Sequence, residues 1–573
     1  MPFTPYVPDG MIEQSLQWEY ADRELIKSIV DKTNTSLEQE LILQILEWQD
    51  RKLVILHRLT MQSTSKTSLP PIIFDYPYAK VLTLLLERSE QLGLQYESLL
   101  HYFLKGFESF QSDVKMLYKL TIKQMNLLIQ LKDVQASTPK TTSFYLKEGY
   151  KLEKVVNHLS FPTSIVLSRN QDIYIAESGF AYGMPAGMGR ILTVKQGEVT
   201  VLADGFDGPL TGMTLAFDKL FVVIGGRGTE QCGKLLCVTR DGQKTVLLDG
   251  LKTCGDHFTG DIIAGNDGML YFGVGSATNS GVVGPDNQSW LKEHPYFADS
   301  PSRTYHLYKR GFLSNNPLTE KHGQEITYPF SPYGAPFSQQ VEGNLLSNGV
   351  LYRCDQEGND LEIIADGFRN PFGLQISPFD HQLYVTDNGA DARGSRQING
   401  DWDNLWRVST MKSWHGWPDF FSGLPATLSH FHTKGKPAPS FLIKNHPYLA
   451  AQPVTRFEQH SSSNKFDFSS NPQFGYEKKV FVAQLGNIKR SNEQPDHGYK
   501  VVMTDFENGL QEEFYVNYEG EDQTEGPIRP IEVKFNHTGN VLYLLDFGIL
   551  GSMALNKPPK QYSGALWKIT KEE

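Results

Sequence analysis

The chain contains little cysteine and no long uninterrupted apolar segment. Only four of its 573 residues are cysteines, and their spacing matches no zinc motif, so buried free thiols are expected rather than a disulfide framework. The four are Cys232, Cys237, Cys254 and Cys354. No stretch of about 18 consecutive apolar residues occurs, which predicts that no helix spans a membrane.

Clustered positive charge is also missing. The formal net charge is −11 and no run of Lys or Arg stands out, which argues against nucleic acid or an anionic membrane surface as a partner. The segment from Met1 to Gly10 has neither a basic start nor an apolar run, so it does not resemble a secretory signal and favours a cytoplasmic location. Gly and Pro, at 50 and 31, are near ordinary usage, so most of the chain is expected to fold.

The length predicts two domains, and the first, residues 1–135, is expected to be a helical bundle. Apolar residues between Leu41 and Leu56 recur at helical spacing, and Ser36 with Gln39 resembles a capping box that opens this helix. Four helices in an up-down arrangement are expected near 11–33, 36–63, 76–105 and 107–134.

The bundle carries no signature of its own chemistry. Di-iron bundles need Glu-x-x-His pairs, but Val54 precedes His57 by three places and Ser98 precedes His101 by three places. The predicted role is therefore docking, oligomerisation or regulation. The stretch 136–147, rich in Ser and Thr, is predicted to be a linker.

A repeated unit decides the fold of the remainder, residues 148–573. In each copy an aromatic residue opens a short apolar strand, and a Gly or a Gly-Ser pair ends it about five residues later. The six opening residues are Tyr174, Phe221, Tyr271, Tyr384, Phe481 and Tyr543. Another β-rich run precedes each copy and further strands follow several of them. The sequence thus predicts a mainly β protein, in which a six-bladed β-propeller follows the helical bundle.

Propeller geometry brings together residues that are distant in the sequence. The first strand of each blade lies nearest the axis, so residues just before those strands gather on one face, among them Asp256-His257, Arg369-Asn370 and Arg529. Buried cations are unfavourable unless something anionic lies among them, which suggests an anionic ligand. The alternative is that each charge pairs with a local carboxylate, for example Arg529 with Glu525.

Several motifs in order resemble the soluble glucose/sorbosone dehydrogenases, a propeller family that uses the cofactor pyrroloquinoline quinone (PQQ). The matching segments are Asp256-His257-Phe258-Thr259-Gly260-Asp261, Gly265 to Tyr271, Asn348 to Arg353, Gly367-Phe368-Arg369-Asn370-Pro371-Phe372-Gly373, Trp414-His415-Gly416-Trp417-Pro418 and Gly498 to Val502. The resemblance implies a PQQ-dependent oxidoreductase with a sugar-like small-molecule substrate and a separate electron acceptor. It also implies a periplasmic or extracellular location, which conflicts with the missing signal.

The resemblance assigns roles within the axial group. His257 is the expected general base, because an imidazole with a pKa near 6.5 can take a hydroxyl proton at neutral pH. Asp256 is expected to orient that ring, and Arg369 to stabilise negative charge on the reduced quinone. Asn370 and Arg529 are expected to contact the cofactor.

A calcium ion is expected beside the cofactor. The family places Ca²⁺ on two consecutive main-chain carbonyls, which correspond to Gly389 and Ala390 here. A further acidic residue of the family corresponds to Asp401 or Asp403.

The chain departs from the glucose dehydrogenase pattern at three cofactor-contact positions. Asp207 stands where the family has Gln, Gly486 where it has Lys, and Ile531 where it has a second Arg. Lys489 or Arg490 could substitute for the missing Lys. PQQ carries three carboxylates, so each lost charge-assisted contact is expected to weaken binding by about 1.5–3 kcal/mol.

Two long insertions, about 277–347 and 409–455, interrupt the propeller and are rich in aromatic residues. Such loops suit walls for a sugar ring or a planar quinone, and the alternative is that they only cover the propeller face. His430 and His432 form a pair whose expected location is the surface rather than a metal site.

Three functions compete on the sequence. The first is the PQQ-dependent oxidation of a CH–OH or aldehyde group, and the second is a ligand- or carbohydrate-binding propeller without turnover. The third, a Ca²⁺-dependent lactone hydrolase, needs an axial ring of carboxylates and amides. It ranks last because His257, Arg369 and Arg529 occupy those positions.

Overall fold

A computed structural model describes most of the chain. The described residues are 9–30, 42–43, 45–46, 48–53, 55–56, 78–102, 108–134, 143–181, 184–185, 187–225, 233–316, 318, 323–447, 451–487, 497–506, 509–552 and 557–572. The chain divides into two compact units. The first comprises Met1–Thr141 with Glu507–Gln511, and the second comprises Thr142–Phe506 with Glu512–Glu573.

The first unit is helical. Its helices are α1 (Asp9–Val30), α2 (Tyr78–Tyr102) and α3 (Glu108–Val134), and the described residues between 42 and 56 are helical as well. Apolar side chains of these helices form one buried cluster that includes Trp18, Leu53, Leu92 and Leu117. None of the helices in the described part of the chain is long and apolar enough to cross a membrane. Ser36 and Gln39, the predicted capping box, lie outside the described residues.

The second unit is built almost entirely of strands. In chain order the first half comprises β1 (Phe144–Leu146), β2 (Tyr150–Leu159), β3 (Pro162–Leu167), β4 (Ile173–Glu177), β5 (Phe180–Ala181), β6 (Met184–Pro185), β7 (Gly189–Lys195), β8 (Glu198–Phe206), β9 (Leu210–Ala216), β10 (Lys219–Ile224), β11 (Gly233–Val238), β12 (Lys244–Leu251), β13 (Thr259–Ala264), β14 (Leu270–Val274), β15 (Tyr305–His306), β16 (Phe312–Asn315), β17 (Gln324–Thr327) and β18 (Gln340–Val341).

The second half continues with β19 (Val350–Cys354), β20 (Glu362–Asp366), β21 (Pro371–Ile376), β22 (Leu383–Asp387), β23 (Asn404–Val408), β24 (Ser413–Trp414), β25 (Phe420–Phe421), β26 (Leu424–Pro425), β27 (Thr455–Arg456), β28 (Ser463–Phe468), β29 (Lys479–Gln484), β30 (Lys500–Asp505), β31 (Gln511–Asn517), β32 (Pro530–Phe535), β33 (Val541–Asp546) and β34 (Gly564–Lys571). One short helix, α4 (Gln288–Glu293), lies in the first insertion. Short 3₁₀ turns occur at Pro285–Asn287, Ser429–Phe431 and Gly520–Asp522.

Six antiparallel sheets form the blades of a propeller. From the axis outward their strands are β3-β4-β7-β8, β9-β10-β11-β12, β13-β14-β19-β20, β21-β22-β23-β27, β28-β29-β30-β31 and β32-β33-β34-β2, numbered here as blades one to six. The inner strands are neighbours all the way round, including β32 beside β3. This confirms the predicted fold class, a mainly β six-bladed propeller with a helical N-terminal part.

The ring closes by pairing the two ends of the propeller sequence. Strand β2 supplies the outer edge of blade six, where Tyr150 lies opposite Lys571 and Leu159 lies opposite Gly564. This pairing closes the ring, because a strand from the start of the propeller sequence, β2, completes the blade formed by its end.

Strand β1 corrects one expectation. Residues 136–147 were predicted as a linker, yet the described part includes strand β1, which adds a fifth strand to blade five with Phe144 opposite Asn517. The Phe144 ring lies 5.7 Å from the ring of Tyr515. Apolar side chains in this segment therefore pack on the blade, which the abundance of Ser and Thr around them obscured.

Blade three also exceeds four strands, because the two-residue strand β24 pairs in parallel with β20, placing Ala365 opposite Ser413. Apolar side chains between neighbouring blades form the core, as where Phe221 of blade two packs with Phe272 of blade three.

Among the described cysteines, Cys237 and Cys354 are buried free thiols as predicted, whereas Cys254 is only half-buried.

Candidate active site

His257 lies immediately before β13, the inner strand of blade three, and is 7% exposed. Its Nδ1 is 2.8 Å from the carbonyl oxygen of Ser276. A carbonyl can only accept, so Nδ1–H donates and Nε2 keeps its lone pair. No described residue bonds Nε2. Burial lowers the pKa of His257 well below its usual value, and the charges of Arg369 and Arg393 lower it further. The ring is therefore a neutral base at physiological pH.

His257 lines a small cavity at the propeller axis, of about 70 Å³. The other lining residues come from the inner strands and the turns that precede them: Thr163, Ser178, Pro209, Thr211, Asp256, Phe258, Thr259, Asn370, Phe372, Ile531 and Phe547. The wall thus combines hydroxyl- and amide-bearing side chains with apolar ones. The structure brings Asp256, His257 and Asn370 to one cavity.

Asp256 does not hold the imidazole ring, contrary to expectation. Its carboxylate accepts a hydrogen bond from Asn287 Nδ2 at 3.0 Å and forms an ion pair with Arg393 at 2.8 Å. The Ser276 carbonyl orients His257 instead. Burial raises the pKa of Asp256, while Arg393 acts in the opposite direction. Side chains from the first insertion and from the loop after β22 capture this carboxylate, and neither could be placed from the sequence.

Arg369 is 6% exposed and is bonded mainly within the protein. Its Nε and Nη2 donate to Asn279 Oδ1 at 3.2 and 2.9 Å, and Nη1 donates to the Asn388 carbonyl at 3.2 Å. Nη2 also reaches Asp391 Oδ2 at 3.1 Å. Four of the five guanidinium N–H groups are thereby occupied. Arg369 is therefore paired with a carboxylate of the protein, which was the alternative to an anionic ligand.

Arg393 is the centre of a charge network that sequence reasoning missed. Its guanidinium lies 2.8 Å from Asp256, 2.7 Å from Asp286 and 3.0 Å from Asp391. Burial would lower the pKa of Arg393, but these carboxylates raise it above its usual value. Burial raises the pKa of Asp286 to about 6, with Asp256 adding to the effect. These residues lie outside the repeated motif, so no periodic signal marked them.

Asp391 joins this network to blade five. Its Oδ1 is 3.2 Å from His460 Nδ1. Burial alone would raise the pKa of Asp391, yet His460, Arg369 and Arg393 together hold it well below its usual value. The bond to Asp391 in turn raises the pKa of His460. Asp391 therefore remains ionised, and it is the counter-charge for both arginines.

Asn370 is fixed by its neighbours on blade four. Its backbone N–H donates to Asp387 Oδ1 at 2.6 Å, and its side-chain Nδ2 donates to Asn388 Oδ1 at 3.0 Å. Asn388 Nδ2 donates onward to the Ser463 carbonyl at 2.8 Å. These bonds leave the side-chain oxygen of Asn370, which lines the same cavity as His257, as an available acceptor. Burial raises the pKa of Asp387 to about 7.

The Gly389-Ala390 peptide is held by two carboxylates. The Gly389 N–H donates to Asp403 at 2.9 Å, and the Ala390 N–H donates to Asp401 at 2.7 Å. Asp401 and Asp403, the two acidic residues suggested by the resemblance, thus position this backbone through hydrogen bonds. A Cβ at Gly389 would lie 2.5 Å from the Trp402 carbonyl oxygen, so only glycine fits. No described residue donates to the carbonyls of Gly389 or Ala390.

Arg529 is 1% exposed and does not line the cavity with Asn370. Its Nε donates to Glu521 at 2.7 Å, rather than to Glu525, and Nη1 donates to the Leu485 carbonyl at 3.0 Å. The guanidinium also lies over the Tyr499 ring at 4.3 Å. Its predicted role in cofactor binding remains a prediction.

Aromatic residues of the second insertion pack beside the axial residues. Trp417 Nε1 donates to the Asn279 carbonyl at 3.2 Å, and the His415 ring stacks on Phe368 at 4.1 Å. His430 stacks on Trp402 at 4.5 Å, and its Nε2 lies 2.6 Å from the Gly400 carbonyl oxygen. Within the described ranges, no three His, Cys, Asp or Glu side chains form a group that could hold a metal ion.

The residues present fit the expected cofactors unequally. The two carbonyls without donors, on a peptide fixed by Asp401 and Asp403, suit a hard cation such as Ca²⁺. Asn370 offers a contact to a quinone oxygen. A PQQ carboxylate, however, would compete with Asp391 for Arg369. The geometry is thus compatible with Ca²⁺ at these carbonyls, whereas a tricarboxylate would have to compete with the protein's own acids.

Comparison with known proteins gives distant similarities. No family model matches the chain. An uncharacterised protein of Borreliella burgdorferi is 26% identical over 194 residues, which are 33% of this chain and 47% of that protein. The chain thus spans about half the length of the curated relative that it matches.

Two solved structures are similar over most of the chain. The holo form of the PQQ domain of a Coprinopsis cinerea pyranose dehydrogenase is 14% identical, with a TM-score of 0.46, covering 76% of this chain and 98% of that chain. A Trichoderma reesei member of carbohydrate-active enzyme family AA12 is 12% identical, with a TM-score of 0.46, covering 76% of this chain and 100% of that chain. At this distance the roles of the axial residues rest on their own contacts.

Proposed function

We propose that this propeller oxidises a CH–OH or aldehyde group of a sugar-like substrate at His257, with a quinone as the hydride acceptor. The observation that carries the proposal is the state of His257. It is a neutral imidazole, fixed through Nδ1 by the Ser276 carbonyl, and it lines the small cavity at the propeller axis with its Nε2 unbonded by any described residue. Substrate class and acceptor follow from the resemblance of the segments around Asp256 and Arg369.

The proton side of the reaction follows from the contacts of His257. A substrate hydroxyl in the cavity would donate to Nε2, while the Nδ1–H bond to Ser276 keeps the ring in place. Arg369 and Arg393 disfavour the imidazolium, so His257 is neutral before the substrate binds and can accept its proton. Asn370, which lines the same cavity, would orient the reacting group. Phe372, Ile531 and the other apolar lining residues would exclude water from the cavity.

The cofactors would bind beside the loop that carries Gly389 and Ala390. When bound, PQQ supplies an electrophilic carbonyl that takes the hydride, and Ca²⁺ would polarise it. Gly389 and Ala390 would hold the ion through their carbonyls, and Asn370 with Arg369 would contact the quinone. Arg369 is already paired with Asp391, so its contact with the quinone would compete with this ion pair.

A second function, a binding propeller without turnover, has an observation in its favour. Arg369 pairs with Asp391 and Arg529 pairs with Glu521, so the two axial cations already have protein counter-charges. A site of that kind has less need of an anionic cofactor. Under this reading His257 is a hydrogen-bond acceptor for a neutral ligand.

One experiment separates the two functions. The purified full chain is titrated with PQQ and Ca²⁺, and oxidation of a panel of aldoses is followed with an artificial electron acceptor. Turnover that depends on both additions supports the oxidoreductase. If no sugar, alcohol or aldehyde is oxidised and PQQ does not bind at micromolar concentration, the oxidoreductase is excluded and the binding function remains.

A further inference from the structure

A second, larger cavity lies away from the axial site. It measures about 420 Å³, within the roughly 300–1,000 Å³ typical of small-molecule sites, whereas the axial cavity is far below that range. Its lining residues are Lys252, Thr253, Cys254, Glu293, His294, Pro295, Tyr296, Phe297, Ala298 and Asn348. None of them lines the axial cavity, and the reaction proposed above uses none of them. This cavity is called the insertion cleft below, because most of its wall comes from the first insertion.

An exposed tyrosine forms one wall of the insertion cleft. The side chain of Tyr296 is 88% exposed, the highest value for any large hydrophobic residue in the described ranges. The turn that carries it is anchored, because Phe297 N–H donates to the His294 carbonyl at 3.0 Å. The buried Phe297 ring also stacks on Trp290, with centroids 6.4 Å apart and planes 8° from parallel. The ring of Tyr296 is therefore presented to solvent from a fixed backbone, as a flat apolar platform with a polar edge.

A buried amide supplies an oriented donor to the lining of the cleft. Asn348 is 5% exposed, and its Oδ1 accepts the Ser300 N–H at 3.0 Å. This bond fixes which way the amide of this cleft-lining residue points, and its Nδ2 has no partner among the described residues. Thr253 contributes no free hydroxyl, since its Oγ1 bonds the Gly225 carbonyl. An oriented but unused donor in a cleft marks a place for a ligand acceptor.

The charges of the cleft define the class of ligand. Lys252 and Glu293 are both exposed and carry opposite charges, so the formal charge of the wall is zero when His294 is neutral. An anionic ligand such as a nucleotide would gain nothing overall from this wall. A neutral ligand that has apolar C–H faces and hydroxyl groups at its edges matches a tyrosine platform bordered by ammonium, carboxylate and amide groups.

We propose that the insertion cleft binds a neutral carbohydrate, with one sugar ring stacked on Tyr296 and its hydroxyls bonded by Asn348, Lys252 and Glu293. This binding is separate from the oxidation proposed at His257. It lets the protein bind a saccharide away from the propeller axis. It needs neither quinone nor calcium, so its success or failure does not depend on the reaction.

The test uses the full chain without added PQQ or Ca²⁺. Binding of maltotriose, cellotriose and xylotriose is measured by saturation-transfer NMR and calorimetry. At least one is expected to bind the wild type, and Tyr296→Ala is expected to weaken that binding about tenfold or more, while Tyr296→Phe retains most of it. Tyr562→Ala, which removes another exposed tyrosine (53% exposed), serves as the matched control and should bind like the wild type.

Three outcomes would overturn the proposal. They are the absence of binding of all three saccharides at millimolar concentration, equal binding by Tyr296→Ala and the wild type, and equal loss in Tyr562→Ala. A His257→Ala variant separates this site from the axial one, because it should keep full saccharide affinity here whether or not the wild type oxidises sugars. Tyr296 is almost fully exposed, so its replacement is not expected to impair folding.

Discussion

Replacing Arg393 by methionine tests the charge network beside His257. The guanidinium lies within 3.0 Å of Asp256, Asp286 and Asp391, and methionine has similar length but no charge. The variant therefore leaves three largely buried carboxyl groups without their shared cation. Removing one partner of a buried ion pair destabilises a protein by about 3–5 kcal/mol, and we expect a loss of free energy of unfolding of that size at pH 7.

The same variant should show a pH dependence with a definite sign. The pKa values of Asp256 and Asp286 already lie above those of the unfolded chain and rise further without Arg393, so the folded variant binds more protons than the folded wild type. The destabilisation should then shrink as the pH falls from 7 to 5. Asp391 acts oppositely, because a lowered pKa contributes stability that is lost only when the pH falls through that value, well below 5. It stays ionised over this window and does not alter the trend.

The measurement is urea unfolding followed by tryptophan fluorescence, which reports mainly on the propeller because six of the eight tryptophans lie in its sequence. Arg240→Met is the matched control. Arg240 pairs with Asp218 at 2.7 Å, but both side chains are substantially exposed, and such pairs contribute about 0–1 kcal/mol. Equal losses for the two variants, or a loss for Arg393→Met that is the same at pH 7 and pH 5, would refute the reasoning.

Three further predictions concern the axial residues. For the oxidoreductase, His257→Ala should lower turnover by about 10²–10⁴-fold with little change in cofactor affinity, measured by steady-state kinetics and PQQ titration. Arg369→Ala should lower both turnover and PQQ affinity, whereas the surface control Lys151→Ala should change neither, and a PQQ affinity unchanged in Arg369→Ala would contradict the predicted contact. Gly389→Ala should weaken Ca²⁺ binding, measured by calorimetry, because its Cβ would lie 2.5 Å from the Trp402 carbonyl oxygen and displace the peptide.

The parts of the fold that could be predicted are those that recur. The apolar run from Tyr384 to Gly389 has a counterpart in every blade, so one correct assignment fixed the others and placed His257 before an inner strand. Strand β1 could not be predicted in this way, because a fifth strand is not part of the four-stranded repeat, and blade three gains its own fifth strand from a different segment, β24. The contacts of β1 are with β31, which lies hundreds of residues away in the sequence.

The partners of the charged residues were the least predictable feature. The sequence shows that Arg369 and Arg529 approach the axis, but it does not show that Asp391 and Glu521 meet them there. Asp391 lies in an irregular loop and Glu521 in the short 3₁₀ turn Gly520–Asp522, and neither conformation has a periodic signature. The expectation of an anionic ligand rested on unpaired cations, and it weakens once their counter-charges are known.

Buried charged residues on the inner strands are also paired with opposite charges of the protein. This pairing sets His257 apart as the candidate for substrate chemistry. Lys465 of blade five is buried 3.0 Å from Asp261 of blade three and 3.6 Å from Glu532 of blade six. Burial raises the pKa of Glu532, so charge in this region is sustained only by the opposite charges around it. Each of these axial ions thus has a protein counter-charge nearby. His257 differs, because it is neutral, bonded through Nδ1 only among the described residues, and part of the lining of a cavity. A group that the fold has positioned but left with an unused lone pair is where substrate chemistry can occur.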